Sequence, residues 1–112
     1  MRSLVLLCVM TPLVAFAQSR VEVENLAGGH TREVVEPVLE SLSAPLGECF
    51  DDATGSVLAT LRVSRGGRVA SVRFMDESGD EGVDRCLKRT LRGAAFGRGN
   101  GRSTIYVRIT RE

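Results

Sequence analysis

A chain of 112 residues has room for one domain. Its net charge is +1, and with Arg2 set aside the remainder carries 14 basic and 14 acidic residues. A lone histidine and three cysteines with no Cys-x-x-Cys spacing argue against a metal-binding protein, and beyond the N-terminus no stretch is long and apolar enough to span a bilayer.

The chain opens with Met1-Arg2, an almost wholly apolar run over residues 4–15, and Ala15-Phe16-Ala17 before Gln18. A positive start, an apolar stretch too short for a comfortable span and a small-x-small site describe a secretory signal peptide over residues 1–17, cleaved after Ala17. Cys8 lies too early, and without small residues before it, to mark a lipoprotein. Export removes Cys8 and leaves Cys49 and Cys86 as an even pair in an oxidising compartment. One disulfide is the simplest reading, with two buried free thiols as the alternative. In the chain-entropy model a loop of this size restricts the unfolded chain by on the order of 3 to 4 kcal/mol.

Residues 18–30 form a leader segment. Within it Val21 and Val23 alternate with polar residues, as in a short edge strand or a loose leader, until Gly28-Gly29 breaks the pattern. The domain proper spans residues 31–112. Thr31 stands as a helix N-cap with Glu33 in the first turn, and apolar positions recur at Val34, Val35, Val38, Leu39, Leu42, Leu46, Cys49, Phe50 and Ala53. The phase survives Pro37 and Pro45, which predicts a bent helix or two short ones sharing a face.

Residues 55–74, GSVLATLRVSRGGRVASVRF, read as a β-hairpin. Val57, Ala59, Leu61 and Val63 point one way, Ala70, Val72 and Phe74 continue that face, and Gly66-Gly67 supplies a tight turn with φ > 0 at both central positions. Ser78 followed by Glu81 reads as a capping box, and Val83, Cys86, Leu87, Thr90 and Leu91 trace a helical stripe that ends at Gly93. Phe96 is expected beneath the sheet edge, and residues 97–102, GRGNGR, form a flexible basic loop. The last strand is STIYVRIT, residues 103–110, with Ile105, Val107 and Ile109 inward.

A right-handed crossover sets this third strand beside the first. The expected fold is α+β: a three-stranded antiparallel sheet of order 2-1-3 with two helices on one face. The third strand is then an edge, able to pair with an incoming peptide, with Ser103, Thr104, Tyr106 and Arg108 along it. On the uncovered face Arg62, Arg73 and Arg108 stand near Tyr106, where they keep the sheet soluble or hold a carboxylate or phosphate.

Charge is uneven along the chain: two basic and eight acidic residues over 18–54, twelve basic and six acidic over 55–112. That asymmetry suggests a dipolar surface. Export sets nucleic acid aside as a partner and leaves an acidic protein or an anionic envelope polymer. No catalytic constellation emerges. His30 has no nucleophile placed beside it by the sequence, Asp51-Asp52 lacks calcium-loop spacing, and the glycines of residues 97–102 precede a strand rather than a helix. No cofactor or metal is expected, and no enzymatic activity.

Several pieces together resemble one family: Gly28-Gly29-His30-Thr31-Arg32-Glu33 before the first helix, Cys49-Phe50, Gly55-x-Val57 opening the hairpin and Gly67-Arg68-Val69 after its turn. Val83-x-x-Cys86 and Phe96 before a glycine-rich loop and final strand complete the set. Over nearly all of the chain past the signal peptide this resembles the C-terminal domain of TonB-like envelope proteins, in the version named for AgmX and PglI. The resemblance implies a periplasmic interaction module that accepts a partner's peptide as an added strand. The alternative function is a structural envelope protein that holds peptidoglycan or lipopolysaccharide on its basic sheet face.

Overall fold

A computed structural model describes residues 19–112. The expected signal peptide over 1–17, its cleavage site and Cys8 lie outside the described residues. The elements run β1 (Ser19–Gly28), α1 (Arg32–Ser41), α2 (Ser43–Cys49), β2 (Gly55–Val63), β3 (Val69–Asp76), α3 (Glu81–Arg92) and β4 (Ser103–Arg111). The fold is α+β, with three helices and one antiparallel sheet of four strands in the order β1-β4-β2-β3.

The order β3-β2-β4 is the expected arrangement of the hairpin and final strand. The expectation of three strands and two helices needs correction at both ends of the first helical region. Of the two readings of the leader the edge strand holds, though it is longer than expected: Ser19–Gly28 pairs from Ser19 opposite Arg111 to Gly28 opposite Ser103. Its register slips between Val23 and Asn25, a bulge that interrupts the alternation by which a strand is recognised in sequence. The first helix is two, α1 and α2, joined at Leu42. Pro37 lies inside α1, whereas Pro45 falls in the first turn of α2, where a backbone N–H has no helical partner to lose. Asp51 then turns the chain with φ 56°, so Ala53 is exposed rather than on the buried stripe.

Alternation does its work in the central strands. Val57, Ala59 and Leu61 of β2 and Ile105, Val107 and Ile109 of β4 are completely buried against Val35, Leu39, Leu46, Phe50, Leu87 and Leu91 from the helices. Each large apolar side chain sealed in this way contributes about 1.5–3 kcal/mol. In β3 only Val72 is fully covered; Ala70, expected inward, is exposed because the register shifts between Arg62 and Val63. The disulfide joins Cys49 at the end of α2 to Cys86 on α3, with Cα atoms 5.5 Å apart. It ties two of the three helices that close the apolar face.

Local devices differ from two sequence expectations. The hairpin turn is longer than a two-residue reversal: Gly67 N–H donates to Ser64 O, Ser64 N–H donates to Arg68 O, and only Gly67 takes a positive φ, 94°. A Cβ on Gly67 would also run into the main chain at Gly97. The cap of α3 is Asp80, whose Oδ1 accepts from Gly82 N–H (2.8 Å) and Val83 N–H (3.2 Å), and not Ser78. Ser78 instead donates from Oγ to Asp84 Oδ1 at 2.7 Å. Thr31 does stand at the N-cap of α1, but its side chain makes no cap bond.

The loop over residues 97–102 is stitched down rather than free. Gly99 N–H donates to Arg65 O, Asn100 N–H to Gly29 O, and Gly29 N–H to Arg102 O. His30, only 4% exposed, locks the same corner. Its Nε2 lies 2.9 Å from Gly97 O, an acceptor only, so Nε2 carries the proton. Nδ1 lies 2.7 Å from Ser103 Oγ, which accepts from the His30 backbone N–H at 2.9 Å.

Candidate functional site

The first consequence of the four-stranded sheet concerns β4. Expected at the rim, it lies between β1 and β2 and pairs with both along its length. Its N–H and C=O groups are already used by two neighbours, so it offers no edge to a visiting peptide. The side chains proposed to line that edge are correspondingly engaged or covered. Ser103 is buried against His30. Thr104 and Tyr106 are half-buried on the open face, across from Arg62 and Thr60 of β2.

Arg108 is engaged as well. Its Nε donates to Glu24 Oε2 at 2.7 Å, Nη1 donates to Ser56 Oγ at 3.1 Å, and Asp76 stands 3.9 Å away. The Glu24 hydrogen bond leads the causes that raise the guanidinium pKa above its ordinary value. Arg62 and Arg73 differ: among the described residues no carboxylate lies within 4.0 Å of either. Arg62 pairs across with Ser71 and Thr60 with Arg73, so the two arginines are diagonal neighbours on β2 and β3. The structure thus brings two of the three expected arginines together and assigns the third to an acidic partner on β1.

The free edges of the sheet are those of β1 and β3. The β3 edge is blunted, because register shifts flank it at Ala70 and Met75 and Arg68, just before it, is bridged by Ala95. The β1 edge opens instead on a groove of about 480 Å³, lined by Val21, Glu22, Val23 and Glu24 together with Glu36, Leu39 and Glu40 of α1. Successive side chains of a strand point to opposite faces, so four consecutive residues can line one groove only where it runs along the edge. On α1 the lining residues recur at i, i+3 and i+4, one face of the helix.

This groove has an apolar floor and an acidic rim. Val21 and Val23 pack against the core that contains Leu39. Of the four glutamates, Glu24 is held by Arg108 and Glu36 by Arg32 Nη1 at 2.8 Å. Arg32 Nη1 also donates to the backbone carbonyl of Val23 at 3.3 Å. Glu22 and Glu40 have no cation within 4.0 Å among the described residues. Sequence reasoning missed all four as site residues. Their signals were the alternating glutamates of Val21-Glu22-Val23-Glu24 and the i, i+4 spacing of Glu36 and Glu40.

His30 and Ser103 place a nucleophile beside a base, an arrangement the sequence did not disclose. Both side chains are almost completely covered, and every polar atom of the pair is spent on joining β4 to residues 30 and 97. Their geometry makes a clasp. Among the described residues no three His, Cys, Asp or Glu side chains stand together as a metal site, and no helix is long and apolar enough to cross a membrane. Comparison with protein-family models, with curated proteins and with solved structures finds no match to this chain.

Proposed function

We propose that the protein is an exported, non-enzymatic interaction module of the TonB C-terminal-like type, which takes an extended segment of an envelope partner as an added strand. The receiving strand is β1. One observation carries this reading: the groove that runs along the unpaired edge of β1, with α1 as its far wall. Strand addition draws affinity from main-chain hydrogen bonds and selectivity from pockets for alternate side chains, and an edge beside a groove supplies both. A disulfide between Cys49 and Cys86 suits the oxidising periplasm. The resemblance of residues 28–110 to TonB-like C-terminal domains points the same way.

The test is amide exchange on the ¹⁵N-labelled domain in the presence of extended peptides selected for binding. Strand addition slows exchange at every second amide over residues 19–23. Tight binders that leave those amides unchanged would overturn the reading.

A second reading is favoured by Arg62 and Arg73, two neighbouring cations without a carboxylate on the open face. There the protein holds an anionic envelope polymer, peptidoglycan or lipopolysaccharide. Reversing both to glutamate then abolishes retention on the polymer, and retention falls steeply with salt. Salt-insensitive retention counts against it.

A further inference from the structure

Resting on the strand-addition reading, we infer that the groove between β1 and α1 is a binding site for a cationic extended segment, in which lysine or arginine alternates with apolar residues. A strand laid beside β1 stands about 4.8 Å from it and sends its side chains alternately to the two faces of the sheet. On the helix side those side chains meet Val21 and Val23, half-buried above Leu39, as the apolar floor. On the open side they come level with Glu22 and Glu24. The two faces of the visitor therefore see different chemistry.

The charge balance of the groove decides the sign. Four carboxylates line it, and the protein's own cations reach two of them, Glu24 through Arg108 and Glu36 through Arg32. Glu22 and Glu40, one on each wall, are left to the visitor. An acidic segment would set carboxylates directly across from Glu22, an arrangement that destabilises cross-strand pairs. The same argument disfavours those pairings of β1 with β1 of a second copy that bring Glu22 and Glu24 of one beside those of the other. An external cationic segment is the occupant that satisfies both the floor and the rim.

Three labelled ten-residue peptides test this, with lysine, threonine or glutamate alternating with valine. Fluorescence anisotropy gives affinity at low and high salt, and amide exchange over residues 19–23 reports the site. The lysine peptide should bind roughly fivefold more tightly than the threonine peptide at low salt, as the cross-strand pair with Glu22 and a weaker one with Glu24, already held by Arg108, allow. The margin should shrink to about twofold when salt shortens the screening length. Glu22→Gln with Glu40→Gln should erase most of that margin and leave the threonine peptide unchanged; both side chains are exposed, so the fold is kept. Equal binding of lysine and threonine peptides with β1 amides protected would overturn the cationic preference while strand addition stands. Peptides that protect no β1 amide would overturn both.

Discussion

Removing the disulfide gives the sharpest energetic test of the fold. Cys49 and Cys86 are separated by 37 residues, and the bond fastens α2 to α3 above the sheet. In the chain-entropy model, freeing a loop of that length returns about 4 kcal/mol of conformational freedom to the unfolded state at 25 °C. A domain of this size has a total stability of roughly 5–14 kcal/mol, so the loss takes a large part of it. The melting temperature should fall by about 15–30 °C at 4–8 °C per kcal/mol. The native packing has little reason to change. Cys49 Sγ lies 3.6 Å from Thr90 Oγ1, so a serine at 49 finds a hydroxyl partner in reach. The assay is urea unfolding of the wild type and of the Cys49→Ser, Cys86→Ser double variant, followed by circular dichroism. The expected result is a lower midpoint with a somewhat larger m-value, because the unlinked chain exposes more surface when unfolded. A loss below about 1 kcal/mol would refute the reasoning, since the bond would then not be restraining the denatured chain.

Three further outcomes can be checked by the same unfolding measurements. Gly67→Ala should destabilise by more than the roughly 1–2 kcal/mol of a left-handed residue, because the added methyl also meets the backbone at Gly97; a neutral result would mean the turn adopts another conformation. Asp80→Ala should cost about 1 kcal/mol by unpinning two N–H groups of α3, with amide exchange faster at Gly82 and Val83. His30→Ala should cost about 1–3 kcal/mol by taking a partner from the buried Ser103 hydroxyl and the tether from Gly97, and should speed exchange at Gly99 and Asn100 as the loop over residues 97–102 lifts. If His30→Ala leaves that loop protected, the histidine is not its anchor.

The parts of the fold legible in sequence are those whose local pattern and tertiary role agree. The stripe of α3 and the alternation of β2 and β4 each announce both a secondary structure and a buried face, and the buried residues are the expected ones. The order of β3, β2 and β4 followed from handedness alone. β1 resisted for a physical reason. Its inward residues Val21, Val23 and Leu26 are only half-buried, and the bulge after Val23 breaks the period of two, so the strand is specified by β4 as a partner more than by its own pattern. The clasp of His30 and Ser103 spans 73 residues, a distance at which no spacing rule operates.

Leaving β1 out of the expected sheet moved the candidate site as well, since a sheet counted one strand short has its edge in the wrong place. Yet the charge asymmetry along the chain already held the information needed. The acidic portion folds into β1, α1 and α2, and α1 and α2 both pack on β1 at one rim of the sheet. The rest of the chain supplies β3 and α3 at the opposite rim, where Arg85, Lys88, Arg89 and Arg92 follow one another along α3 but Asp76, Glu77, Asp80, Glu81 and Asp84 balance them and Arg73. β2 and β4, drawn from the basic portion, lie between them, and Arg108 of β4 is the cation that reaches back to neutralise Glu24. The negative charge is thus gathered at the β1 rim, while the β3 rim is balanced. A negative rim of that kind would draw an approaching cationic segment toward β1 before any hydrogen bond forms. The association rate of the lysine peptide should therefore fall with salt more than its dissociation rate rises, and the reverse order would place the selectivity in contact chemistry alone.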